Sequence, residues 1–431
     1  MYVIIYSNFK YYPEKGAIIM YVAIMGYGVV GSGVATLLEK NHEHILKKSM
    51  QDEMELKYIL DRRTFPGDPY EHLVISDFAK ILEDDEVKIV VETMGGLYPA
   101  YDYVLASLKA GKSVVTSNKE LVAAKGCELL QVAEENNVNF LFEASVGGGI
   151  PIIRPISQCL AANDIDEIAG ILNGTTNFIL TKMISDGMTF EEALFLAQRN
   201  GYAERDPSAD VDGFDACRKI CILAALCFGK HVYPDWVYTE GIRKIDLADV
   251  EYARSWGGVI KLIARAKKLD NGKVSVMVSP AFVQNHSQLA SVDDVFNAIL
   301  VRGDAIGDVV FYGKGAGKMP TASAVVADVI DCAKNLDRKK YGGWQDSEEG
   351  YVADYLESVG PVYVRIMTEN AASALAQVNQ AFGEVKMLSR ADAPDGEIAF
   401  AVSPVSEKEL ADKLALIKDA EIKSVIRITD Y

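Results

Sequence analysis

The chain has 431 residues, 49% of them hydrophobic and 24% charged, enough for two or three domains with substantial cores and unlike a disordered composition. Its net charge of −17 and pI near 4.9 repel phosphate backbones and anionic lipid, which argues against nucleic-acid and membrane partners. Six scattered cysteines without a CxxC pair and five histidines suggest neither a disulfide framework nor a zinc site. No apolar run approaches the roughly 18 residues that a bilayer span needs, so a cytoplasmic protein is expected.

Residues 1–19 read as an N-terminal extension. Tyrosines and lysines stand where a signal peptide needs an apolar stretch, and the first strand-like pattern opens only at Met20, where translation is expected to begin. From there YVAIMG, ELKYILD, VKIVVET, KSVVTS and VNFLFEASV alternate with helix-length segments. Apolar strands separated by helical crossovers predict an α/β fold, a Rossmann-type doubly wound parallel sheet over residues 20–150.

Beyond Pro151 the pattern turns mostly helical, with runs at Asp210–Phe228 and Leu247–Leu269 and strands IDEIAGIL and KVSVMVSPAFV. This predicts an α+β substrate and dimerisation domain over 151–304. The Gly-rich turn and helix within 305–338 are expected to pack back onto the first domain. Residues 339–350 have linker composition. The last segment, 351–431, has the β-α-β-β-α-β order of a ferredoxin-like module.

GYGVVG (Gly26, Tyr27, Gly28, Val29, Val30, Gly31) follows a predicted strand and opens a predicted helix, the context of a dinucleotide-binding turn. Gly26 permits the turn, Gly28 lets the backbone approach a pyrophosphate, and Gly31 lets helix and strand pack. The second strand ends LDRR. There Asp61 suits a ribose 2′-hydroxyl while Arg62 and Arg63 suit a 2′-phosphate, and the two arginines favour NADPH with NADH tolerated.

Gly201–Lys219, GYAERDPSADVDGFDACRK, holds five carboxylates in nineteen residues. As a calcium loop starting at Ser208 it fails, because the twelfth position is Lys219 and not a bidentate glutamate. Asp215 and Lys219 are i, i+4 partners on a helical face that continues into KICILAALCF. Lys219 is therefore expected at the buried edge of a cleft, where a lysine beside a carboxylate can give up a proton.

Ala197–Lys219 resembles the signature of homoserine dehydrogenase: Gly-Tyr-Ala, then Asp206-Pro207, Asp210, Gly213, Asp215 and Lys219 at fixed spacing. The resemblance extends through SNKELVAAKG, FEASVGGGIPIIRPI, ILNGTTNFIL and GKGAGKMPTASAV, from Met20 to about Asn335. It implies reversible NAD(P)H-dependent reduction of L-aspartate 4-semialdehyde to L-homoserine, with Lys219 as proton donor, Asp215 orienting it and binding substrate, and Lys119 between nicotinamide and substrate. It further implies Gly201, Glu204, Asn173 and Thr175 around the substrate, with Glu204 on its ammonium group, and Thr93, Ser117, Lys119 and Gly315 along the cofactor. A monovalent cation, Na+ above all, is implied at Glu143 with the carbonyls of Val146, Gly148 and Ile150. Two ammonium groups facing a carbonyl that is gaining negative charge suit such a reduction.

The last module is similar to ACT domains, which sense amino acids. Its first loop, Glu369-Asn370-Ala371-Ala372-Ser373, lacks the usual Pro-Gly step. A threonine effector site and a purely dimerising role both stay open. The resemblance implies a monofunctional enzyme and a homodimer or homotetramer. Two other readings stay open: another NAD(P)-linked amino-acid dehydrogenase on the same scaffold, and a catalytically silent regulatory protein that senses nucleotide and amino acid.

Overall fold

The computed structural model describes residues 19–336 and 343–431. The proposed extension lies outside them except for Ile19. Six parallel strands, β1 (Ile19–Met25), β2 (Glu53–Leu60), β3 (Val74–Ile75), β4 (Val87–Glu92), β5 (Ser113–Thr116) and β6 (Phe140–Leu141), form a sheet in the order β3-β2-β1-β4-β5-β6. Five of the six residues of β4 are buried, as expected of a strand covered on both faces. The order reverses between β1 and β4, where doubly wound sheets bind dinucleotides. Of this sheet, the two-residue β3, too short for a periodic signal, is the strand missing from the sequence reading.

The second sheet is mixed. It contains β7 (Ile165–Ile171), β8 (Tyr238–Thr239), β9 (Gly258–Lys268), β10 (Val274–Gln284), β11 (Phe296–Gly303), β12 (Gly307–Lys314), β13 (Val359–Met367), β14 (Lys386–Leu388), β15 (Glu397–Ser406) and β16 (Glu421–Thr429). Its order is β12-β11-β7-β9-β10-β16-β13-β15-β14, with β8 beside β10. The expected helical run at Leu247–Leu269 is corrected. A helix ends at Trp256, Gly257 caps it in the left-handed region (φ 97°), and the rest is β9.

The C-terminal strands run antiparallel in the order β16-β13-β15-β14, with helices Ala371–Phe382 and Glu407–Leu414 in the two crossovers, which is ferredoxin-like connectivity. Because β16 also pairs with β10, in parallel, the module continues the sheet of the middle domain. Helix Lys318–Lys334 returns to the parallel sheet: Ala322, Val325, Val326 and Val329 share a core with Val34, Ala35 and Leu38 of helix Val29–Lys40.

Residues 339–342 of the linker lie outside the described ones. The rest is mostly exposed, with Trp344 turned inward. Trp344 is buried, its indole N–H donates to His231 Nδ1 at 3.0 Å, and the other ring nitrogen, Nε2, lies 2.9 Å from the Ala123 carbonyl. Since Nδ1 accepts the indole proton, the ring proton sits on Nε2 and the imidazole is neutral. Burial lowers its pKa accordingly.

Candidate active site

The Gly-rich turn has the geometry a pyrophosphate needs. Gly26 has φ 95°, and a side chain there would lie 2.9 Å from Met94 Cα. A Cβ on Gly31 would lie 2.0 Å from the Gly26 carbonyl oxygen, so helix and strand could not close. At Gly28 nothing stands within 4 Å, and Gly28 is the N-cap of helix Val29–Lys40, whose first turn has neither an acidic residue nor a side-chain cap. The first amides of the helix are therefore free for an anion. Thr93 ties the turn to β4, its hydroxyl donating to the Gly26 carbonyl at 2.7 Å.

At the end of β2, Asp61 accepts the Tyr27 amide at 2.8 Å and two guanidinium bonds from Arg63, at 3.0 and 2.8 Å. The Arg63 bonds hold Asp61 well below the usual carboxylate range, against the opposing effect of burial. Arg62 is exposed. The conflicting carboxylate and guanidinium signals are thus one ion pair.

Lys119 begins helix Lys119–Glu135, and Asn118 caps it by accepting the Leu121 amide at 3.1 Å. Asp215 opens helix Phe214–Phe228, which starts after Gly213 in the left-handed region (φ 87°). This glycine splits the expected run at Asp210–Phe228. The two helices meet at one carboxylate: Asp215 Oδ1 lies 2.6 Å from Lys119 Nζ, and Oδ2 lies 2.7 Å from Lys219 Nζ. Lys219 also donates to the Leu172 carbonyl at 2.7 Å, and Asn173 Nδ2 donates to Asp215 at 2.9 Å and to Asp210 at 2.7 Å.

Asp215 and Lys219 are buried, whereas the Lys119 side chain is 41% exposed. Burial alone would raise the Asp215 pKa, but the Lys219 and Lys119 charges outweigh it and keep the group ionised. Burial lowers the Lys219 pKa, with Asp215 opposing. The Asp215 charge raises that of Lys119. The cluster is an anion between two cations, one of which is a buried ammonium with a weakened hold on its proton.

The structure brings together Lys119, Asn173, Asp215 and Lys219. Thr175 stands near them, its hydroxyl donating to the Tyr202 carbonyl at 2.7 Å and so tying the NGTT turn to the Gly-Tyr-Ala turn. Gly201 is exposed with φ 75°. Glu204 is also exposed, and its carboxylate has no protein partner among the described residues. Sequence reasoning did not single out the Leu172 carbonyl or Asp210 as part of the site. Asp210 belonged to the signature, and its pKa is raised by burial and then by Asp215.

The Glu143 carboxylate faces away from a cation role. It accepts the amides of Ile152, Ile153 and Arg154 at 2.6–2.9 Å and pairs with the Arg154 guanidinium. The carbonyls of Val146, Gly148 and Ile150 accept no hydrogen bond among the described residues. Gly148 (φ 54°) must be a glycine, because a Cβ would lie 2.4 Å from the Gly315 carbonyl oxygen. Among the described residues no group of three or more His, Cys, Asp or Glu side chains could hold a metal ion, and no helix is long and apolar enough to cross a membrane.

Comparison with known proteins matches residues 26–143 to the family model for the NAD-binding domain of homoserine dehydrogenase and residues 151–330 to that for homoserine dehydrogenase. The homoserine dehydrogenase of Synechocystis sp. is 38% identical, over 94% of this chain and 99% of its own. A homoserine dehydrogenase crystal structure from Thiobacillus denitrificans has 33% identity and a TM-score of 0.86, covering 96% of this chain and 98% of its own. A hyperthermophilic archaeal homoserine dehydrogenase in complex with NADPH has 28% identity and a TM-score of 0.61, covering 73% and 97%. The chain belongs to the homoserine dehydrogenase family and is an NAD(P)-dependent oxidoreductase acting on a CH–OH group.

Proposed function

We propose that the Lys119–Asp215–Lys219 cluster performs the proton chemistry of interconverting L-aspartate 4-semialdehyde and L-homoserine. The observation that carries this is one buried carboxylate holding two ammonium groups, at 2.6 and 2.7 Å. A nicotinamide cofactor, when bound, supplies the hydride. Lys219 donates a proton from Nζ to the aldehyde oxygen as negative charge builds there. Its desolvated ammonium is poised for this, and Asp215 fixes its direction. Lys119 adds a second positive charge at the cofactor side. Glu204, with an unengaged carboxylate, takes the substrate ammonium, and the NGTT turn offers the Gly174 and Thr175 amides to the substrate carboxylate. The family match leaves both a silent regulator and another amino-acid dehydrogenase without support.

NADP(H) is the preferred cofactor in this reading. The exposed Arg62 supports it, as does the NADPH held by the archaeal relative. Gly26–Gly31, Thr93, Ser117 and Gly315 form its cleft. A sodium ion would sit among the free carbonyls of Val146, Gly148 and Ile150 and brace the loop between the domains. Glu143 would contribute at most its own carbonyl.

The C-terminal module serves assembly in this reading more than threonine sensing. At its first loop and in the helix that follows, Thr368, Ser373 and Gln377 are already bonded to Asp419, at 2.5–2.8 Å. A homodimer or homotetramer in the cytoplasm completes the proposal, and the free state of all six cysteines supports that compartment. NADPH and NADH oxidation with aspartate semialdehyde, with and without threonine, tests these assignments. Turnover faster with NADH, or strong threonine inhibition, would reverse the corresponding one.

A further inference from the structure

Glu92 ends β4 and is fully buried. Its Oε2 accepts the Thr116 hydroxyl at 2.5 Å, and its Oε1 accepts the amides of Met94 at 2.7 Å and Gly95 at 3.3 Å. Thr116 Oγ1 itself accepts the Asn118 amide at 2.9 Å, so its proton is committed to Glu92. Burial raises the Glu92 pKa, and four neutral donors, the Thr116 hydroxyl, the Met94 and Gly95 amides and the Asn118 side chain, work against it, while no lysine, arginine or histidine pairs with the carboxylate among the described residues. An ionised carboxylate without a cation is costly to bury, and one so surrounded by donors lacks only a positive partner.

The position suggests what that partner is. Asp61 and the Gly-rich turn place the adenosine and pyrophosphate at β1 and β2, which leaves the β4–β5 side of the switch point for the nicotinamide. The residues after Glu92, Thr93–Gly96, and the turn after Thr116, Ser117–Lys119, flank that side and are joined by the Asn118 Nδ2 bond to the Gly96 carbonyl at 2.7 Å. We propose that Glu92 is a buried anion at the nicotinamide end of the cleft, where it favours the oxidised, positively charged ring over the reduced, neutral one. This rests on the cofactor placement given above. Glu92 thereby assists hydride departure in the reductive direction, since positive charge grows on the ring as hydride leaves.

Dissociation constants for NADP+ and NADPH, titrated without substrate, test this on the wild type, Glu92→Gln, Glu92→Asp and Thr116→Val. A unit charge within about 8 Å at an effective dielectric near 20 predicts that the NADP+ to NADPH ratio of constants rises tenfold or more in Glu92→Gln. Glu92→Asp keeps the charge and stays within about threefold of wild type on the same reasoning. Thr116→Val, which removes a bond that stabilises the anion, shifts the ratio in the same direction as Glu92→Gln by a smaller factor. It decides the matter by itself if Glu92→Gln does not fold. If Glu92 only ties loops together, both constants change in step, and an unchanged ratio in every folded variant overturns the proposal. A wild type that binds neither form would overturn the cofactor placement and this proposal with it.

Discussion

Replacing Asp215 by asparagine keeps the shape of the site and removes the charge between its two lysines. The structure allows the effect to be worked out. A carboxylate about 4 Å from an ammonium at an effective dielectric near 20 contributes about 4 kcal/mol to keeping the proton. Lys219 is buried and already holds its proton less tightly than usual, whereas Lys119 is partly open to water that can take over from the lost anion. Losing the Asp215 charge lowers the Lys219 pKa further, so the variant's Lys219 gives up its proton at lower pH than in the wild type and is less often charged to act as an acid.

The expected result is a fall in kcat for aldehyde reduction of about 10²–10⁴, with NADPH affinity nearly unchanged. In the wild type the reductive rate falls as pH rises through the Lys219 pKa, and in Asp215→Asn that limb moves to lower pH. Steady-state kinetics from pH 5.5 to 10, alongside NADPH fluorescence titration, measures both. A kcat within about threefold of wild type, with the alkaline limb in place, would refute the role of Asp215.

Two glycines of the nucleotide turn separate packing from ligand approach. Gly31→Ala drives a Cβ to 2.0 Å from the Gly26 carbonyl oxygen and should lower the melting temperature as well as abolish cofactor binding, whereas Gly28→Ala has no neighbour within 4 Å and should fold normally while binding cofactor weakly. Trp344→Ala empties a buried site and orphans His231 Nδ1, so chemical denaturation should show a loss of about 3–5 kcal/mol. An exposed linker tryptophan would cost almost nothing. Asp215 and Asp61 have pKa values below their ordinary 3.8, so the stability they contribute is present above that value and is lost as pH falls further. The acid limb of a melting-temperature profile should accordingly be shallower in Asp215→Asn.

The parallel sheet was legible because its strands are buried on both faces and read as apolar runs between helices. The Asp215–Lys219 pair was legible because helical spacing places the two residues together. By contrast, β9 was hidden: GVIKLIARAKKL suits either period, and only the Gly257–Gly258 break marks the change to strand. The linker's glycines and charges concealed Trp344, whose burial depends on helix Lys119–Glu135 and His231, distant in sequence. Long-range pairing of this kind leaves no local pattern. It also explains why Arg63 read as a free phosphate ligand until Asp61 was found to hold it, and why Glu92 passed as one more strand residue.

The central claim is most directly tested by comparing wild type with Lys219→Met for NADPH oxidation by L-aspartate 4-semialdehyde under single-turnover conditions, with NADPH binding measured on the same preparations. The account predicts that the variant binds NADPH as wild type does and transfers hydride about 10²–10⁴ times more slowly. Wild-type hydride transfer in a folded Lys219→Met protein would contradict it.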